Sequence, residues 1–119
     1  MPSTTLHPAN VERLSFDWGS IRWLCNGQLV PGARQTVGLS EVLPGRHNPL
    51  HYHPNCEEVL HVLSGECDHV CDGEVTPLRP GSTIVIPAGV RHHLFNRGDT
   101  PVITLIAFSS PDRQTVFLE

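Results

Sequence analysis

His51 and His53 stand two residues apart, and two carboxylates, Glu57 and Glu58, follow shortly after. In an extended strand the side chains alternate faces, so both imidazoles point the same way. Their Cβ atoms then lie about 6.5–7 Å apart. Two rings at that spacing can converge on one ion, at roughly 2.0–2.1 Å per metal–nitrogen bond. Pro54-Asn55-Cys56 carries turn chemistry, so the chain can fold back and bring a carboxylate against the histidine pair. Glu57 and Glu58 face opposite ways on a strand, so only one of them can join. A further imidazole comes from the stretch Gly81 to Asn96. There Thr83-Ile84-Val85-Ile86 is a β-branched run closed by Pro87-Ala88-Gly89, a strand ending in a tight turn. The turn launches His92, and His93 beside it points to the other face.

Any one of these histidines alone would be a hydrogen-bonded core residue. What sets them apart is the frame of fixed offsets around them. Gly45, His51, His53, Glu58 and Gly65 follow the pattern Gly, five residues, His-x-His, three or four residues, Glu, six residues, Gly. Gly81, Pro87, Gly89, His92 and Asn96 follow the pattern Gly, five residues, Pro-x-Gly, two residues, His, three residues, Asn. In both stretches the chain resembles the cupin superfamily, over roughly residues 36–108. The resemblance implies an all-β fold, a small double-stranded β-helix (jelly-roll) barrel. The whole chain, 1–119, then reads as one cupin domain with an N-terminal arm at 1–15. The resemblance also implies one divalent transition metal held by His51, His53, Glu58 and His92, the six-residue offset to Gly65 choosing Glu58 over Glu57. Iron, manganese, zinc, nickel and cobalt all accept such a ligand set. No single reaction is implied, because the fold hosts many.

Three neutral imidazoles and one carboxylate leave a divalent ion with a net charge near +1 and, in an octahedral sphere, one or two open positions. Such a centre favours an anionic small molecule that chelates through oxygen: an organic acid or a carbohydrate-like compound. It can polarise a carbonyl or acidify bound water. The complete ligand set points to a small metalloenzyme, an oxygenase, lyase or isomerase, with a non-catalytic small-molecule-binding cupin as the alternative. There is no nucleophile elbow, phosphate loop or dinucleotide fingerprint.

The formal charge is −4 and lysine is absent. That argues against a nucleic-acid partner or an anionic membrane surface and excludes lysine Schiff-base chemistry. Arginine must supply any further anion contact. Arg46, in the loop before His51, is the one placed to reach the barrel mouth. Strand parity turns Arg91 away from the metal, and Arg34 precedes the strand leading into the first motif. Cys25, Cys56, Cys67 and Cys71 form no C-x-x-C pair and read as free thiols, Cys56 as an inert one in a turn. His61 shares the face of Glu57, and His69 lies with Cys67 and Cys71; both read as surface or packing residues. The N-terminus shows no secretory pattern and no stretch is long enough to span a bilayer, so a cytoplasmic protein is expected.

Around these residues the sequence predicts a strand over 16–24 with Gly19 as a bulge, and another over 36–43. A hairpin, 66–71 with 74–78, is expected around Asp72-Gly73, and a buried strand over 102–108. The apolar residues Trp18, Ile21 and Trp23, and the tail Val116-Phe117-Leu118, offer surface for a homodimer that would cover the barrel's edge strands.

Overall fold

The computed structural model describes residues 3–119, and among them there is no α-helix. A short 3-10 turn at Pro8–Asn10 leads into eleven strands: β1 Arg13–Phe16, β2 Gly19–Cys25, β3 Thr36–Val42, β4 His51–Tyr52, β5 Glu58–Ser64 and β6 Cys67–Cys71; then β7 Glu74–Leu78, β8 Thr83–Ile86, β9 His92–Phe95, β10 Val102–Phe108 and β11 Val116–Phe117. They form two antiparallel sheets, ordered β1-β2-β3-β10-β5-β8 and β11-β4-β9-β6-β7. This is the expected all-β jelly roll.

Period-two alternation builds the core. Along β10 the residues alternate buried and half-buried, with Val102, Thr104, Ile106 and Phe108 inward. They pack with Val42 on β3, Leu60 and Val62 on β5, and Leu94 on β9. The buried Thr104 hydroxyl would carry a desolvation penalty alone; it shares a 2.6 Å hydrogen bond with Ser40 on β3. Strand β3 turns Thr36, Gly38, Ser40 and Val42 inward, so its bulkier Val37 and Leu39 lie on the outer side. The small inner residues make room for an aromatic neighbour: a Cβ on Gly38 would come within 2.7 Å of the Trp23 ring.

The hairpin around Asp72-Gly73 forms as expected. Both residues have positive φ, 48° and 79°, the conformation that a two-residue type I′ turn requires. The expected strand over 16–24 is instead two strands. The chain reverses at Asp17-Trp18, and β1 pairs back on β2 with Phe16 opposite Gly19. Gly19 is not a bulge. Its backbone passes so close to β3 that any Cβ would collide with the Glu41 carbonyl. Part of the N-terminal arm therefore becomes the edge strand β1.

Asn96, the last residue of the second motif, holds the barrel together. Fully buried, it donates to the carbonyls of Val42 (2.9 Å) and Thr100 (2.8 Å) and accepts from the Gly98 N–H (3.0 Å). No helix among the described residues is long and apolar enough to cross a membrane.

Candidate metal centre

The two sheets bring the four predicted ligands together. His51 on β4 sits directly opposite His92 on β9, and His53 follows at the end of β4. Glu58 opens β5, paired with Phe108 and Ile86 of the other sheet. The carboxylate therefore approaches the three imidazoles from across the barrel. All four residues are buried, at 8%, 3%, 4% and 3% exposure for His51, His53, Glu58 and His92. One donor atom from each lies within 4.8 Å of every other.

Each imidazole is oriented by its far nitrogen. His51 Nδ1 lies 2.7 Å from the Pro49 carbonyl, His92 Nδ1 2.8 Å from the Val90 carbonyl, and His53 Nδ1 2.9 Å from the Gln114 carbonyl. A carbonyl only accepts, so each Nδ1 carries the hydrogen and each Nε2 presents a lone pair. Two of these contacts are local, from a residue two positions earlier. That to Gln114 comes from the far end of the chain.

The donor set fits a cation. His53 Nε2 is buried with no hydrogen-bond partner, and such an atom is costly unless something binds it. It lies 3.3 Å from Glu58 Oε1, and His92 Nε2 lies 3.0 Å from the same oxygen. Burial alone would raise the Glu58 pKa, but the close contacts and charge of His53 and His92 hold it below the usual carboxylate range. Burial lowers His92, yet the Glu58 contact outweighs it and leaves His92 raised. Burial, with the charge of His92, pushes His51 down to about 4. Without a metal the carboxylate therefore favours a proton on His92 while His51 stays neutral.

The cluster forms one wall of a cavity of about 270 Å³ whose other walls are largely apolar and aromatic, including Trp23, Ile21, Ile106 and Phe108. Two residues there were not read as site residues from the sequence. Arg113 lies with its guanidinium 4.5 Å from the Trp23 ring and 5.3 Å from that of Phe108, and donates to Thr115 Oγ1 at 2.7 Å. Burial lowers its pKa, partly offset by Glu58 and Cys56. His69, fully buried, also lines the cavity, its ring 5.8 Å from that of His92 and nearly parallel to it. Strand parity puts His69 on the face of Cys67 and Cys71, but only the pairing of Cys71 with His92 shows that this face is the cavity. Arg113 lies in an irregular segment where no periodicity could have found it.

The remaining candidates lie elsewhere. Glu57 is exposed. His61 faces outward and bonds Thr83 Oγ1 at 2.7 Å. Cys56 belongs to the apolar core, where burial raises its thiol pKa. Burial likewise pushes Cys67 up to about 11. Arg34, Arg46 and Arg91 are all exposed.

Jelly-roll topology and a buried three-histidine, one-carboxylate cluster define a class, and the family comparison agrees with it. The chain belongs to the cupin family: the cupin-domain model matches residues 38–108. Among curated relatives it is 36% identical over 81 residues to the polyketide synthase CurC of Streptomyces cyaneus, covering 68% of this chain and 53% of that protein. It is 32% identical over 96 residues to germin-like protein 3-8 of Oryza sativa subsp. japonica, covering 71% and 41%. The chain thus spans roughly half the length of these relatives. Among solved structures, the Lactobacillus farciminis oxalate decarboxylase formate complex superposes with a TM-score of 0.85 at 24% identity, over 94% of this chain and 35% of that one. An oxalate oxidase in complex with the substrate analogue glycolate gives 0.79 at 26% identity, over 87% and 57%.

Proposed function

We propose that the protein is a metal-dependent enzyme acting on a small anionic molecule that has chelating oxygens at one end and an apolar, aromatic-sized body at the other. The observation that carries this reading is the position of the four donors on one wall of a largely apolar cavity. His51, His53, Glu58 and His92 would hold the ion, with Nε2 lone pairs and one carboxylate oxygen. When bound, a divalent ion of the iron, manganese, zinc, nickel or cobalt type polarises a ligand oxygen or acidifies bound water. The chain's own residues do the rest. Trp23, Phe108 and Ile106 exclude water and favour a flat apolar body, which argues against a carbohydrate. Arg113, stacked on two aromatic rings and, among the described residues, hydrogen-bonded through one guanidinium nitrogen to Thr115, keeps further N–H groups for a ligand carboxylate or enolate. Arginine is the cation suited to such planar, bidentate contacts. Arg113 would thus supply the anion contact, and Arg46, Arg34 and Arg91 stay exposed surface cations. One relative's name, polyketide synthase, is compatible with an aromatic body. The structural neighbours, an oxalate decarboxylase and an oxalate oxidase in complex with glycolate, are compatible with the chelating end.

The free form of this chain is a homodimer in this reading. Phe16 on edge strand β1 is 45% exposed and Phe117 on edge strand β11 is 62% exposed, and both border the cavity. A second copy would cover them. Trp18, Ile21 and Trp23 face the cavity and are half-buried, so the dimer face shifts to Leu14, Phe16 and Phe117. A cytoplasmic location is compatible with four free thiols.

Thermal denaturation against a panel of acids tests the reading. Aromatic ortho-hydroxy acids should raise the Tm of metal-loaded protein more than aliphatic hydroxy or keto acids do, and should leave metal-free protein unchanged. Equal effects on both forms, or no effect from any chelating acid, would overturn it. Binding without turnover of any bound acid would favour the non-catalytic alternative.

A further inference from the structure

Beside the cavity, which His93 also borders, a second group of donors converges. His47, His93 and Glu119 each place one donor atom within 4.8 Å of the other two. The two rings are fixed by Phe95. His47 stacks on it with centroids 4.5 Å apart and planes 22° from parallel, and its backbone forms a β-bridge with Phe95. His93 meets Phe95 edge-on at 4.5 Å and His47 edge-on at 5.8 Å. His47 Nδ1 lies 2.9 Å from the Asn48 carbonyl, which places the hydrogen there and leaves Nε2 with its lone pair. On the carboxylate side, Glu119 Oε1 accepts the Leu50 N–H. Each of the two exposed donors thus has an anchor that fixes its direction.

His93 and Glu119 approach closely enough for an ion pair, and for two ligands of one ion, but not for a hydrogen bond. His93 Nδ1 lies 3.7 Å from Glu119 Oε1, beyond hydrogen-bond range. It is buried and has no hydrogen-bond partner. Two ligands of one tetrahedral ion with bonds near 2.0–2.1 Å sit about 3.3 Å apart. Two imidazoles and one carboxylate are a donor set that zinc accepts, with a fourth position left for water.

We propose that His47, His93 and Glu119 form a second divalent-metal site, of zinc type, on the face of β9 opposite that of His92. Its ion would fasten the segment after β11 to the barrel. Glu119 follows β11, whose Val116 and Phe117 pair with Tyr52 and His51. Just before β11, the Gln114 carbonyl and Thr115 hydroxyl contact His53 Nδ1. Pinning Glu119 therefore pins the segment that orients an inner ligand.

The site is tested by cobalt(II) titration of metal-stripped, untagged protein, with binding read from the visible d–d bands. The wild type should take two ions per chain. His47→Ala and Glu119→Gln, both at exposed positions, should each lose one, and His53→Ala should lose the other. Hydrogen exchange at 116–118 should slow when the outer ion binds. A wild type that takes one ion, lost in His53→Ala and kept in His47→Ala, would overturn the outer site and leave the inner reading standing. One ion lost in His47→Ala and kept in His53→Ala would do the reverse. Two ions that both survive His47→Ala and Glu119→Gln would also overturn the proposal.

Discussion

Strand β9 carries two histidines in succession, and they end in opposite surroundings. His92 points into the barrel, buried among two imidazoles and a carboxylate. His93 points to the other face, against an exposed imidazole and an exposed carboxylate. The local sequence is the same for both, and the alternation of the strand alone separates them. What differs is the shell behind each donor. In the inner cluster every imidazole is fixed by a backbone carbonyl, and two of the three carbonyls come from the residue two positions earlier. In the outer cluster both rings pack on Phe95, His47 alone is also held by a backbone carbonyl, and the carboxylate comes from residue 119. An inner ion is held by buried donors, whereas an outer ion competes with water at exposed ones. The inner site should therefore bind more tightly and matter more for stability.

The largest expected effect follows from this contrast. A bound ion stabilises the fold by about 4 kcal/mol when its free concentration is a thousandfold above Kd. Glu58→Gln should remove most of that gain at the inner site, because it deletes the one anionic ligand. Glu57→Gln, at an exposed position one residue away, should leave it intact. Denaturant melts of both variants, with and without metal, check the order. If Glu57→Gln proves the more damaging, the inner cluster has been assigned to the wrong carboxylate.

Legibility in the sequence follows the same division. The four residues of the inner cluster were readable through the resemblance, whose motifs set them at fixed offsets from turn glycines, and turns and two-residue periodicity are local properties. The Asp72-Gly73 hairpin and the strand over 102–108 were readable for the same reason. What could not be read depended on pairing between distant strands. Gly19 looked like a bulge because its true constraint is the Glu41 carbonyl on β3. His69 looked like packing because only the β6–β9 register turns its face toward the cavity. Arg113 reaches the site from an irregular segment, held by rings on β2 and β10.

A smaller effect distinguishes the buried imidazoles from exposed ones in the metal-free protein. Burial, aided by the charge of His92, lowers His51 and His69 from 6.5 to about 4. As pH falls below 6.5 the unfolded chain takes up these protons first, so the contribution of these two groups drops until about pH 4 and then levels, while that of Glu58 is lost only in more acid solution. Each group contributes on the order of 2–3 kcal/mol across that window. His92, raised by Glu58, works the other way: its contribution is complete below its unfolded value and fades as pH rises through its folded one. Replacing His69 with Gln should flatten the acid limb of the stability curve by roughly half. An unchanged slope in denaturant titrations between pH 7 and pH 4 would mean that His69 is protonated in the fold.

The smallest effect concerns the link between the chain end and the inner ligands. Thr115 Oγ1 lies 3.2 Å from His53 Nδ1 and accepts Arg113 Nη1 at 2.7 Å. The Gln114 carbonyl, at 2.9 Å, is the nearer partner of the same imidazole nitrogen. Thr115→Val keeps the shape and deletes the hydroxyl, so His53 retains its main anchor and loses a secondary one. One neutral hydrogen bond is worth about 1 kcal/mol. Inner metal affinity should thus fall by only a few-fold, less than the 10- to 100-fold typical when an outer anchor of a ligand is lost altogether. Arg113 loses this acceptor but keeps both aromatic contacts, so it should stay in the cavity and bind anions at least as well. The outer cluster, which does not touch Thr115, should be unaffected. Competition titration against a chelator measures both sites in one experiment. A loss at the inner site as large as that from Glu58→Gln would make the hydroxyl, rather than the Gln114 carbonyl, the group that orients His53.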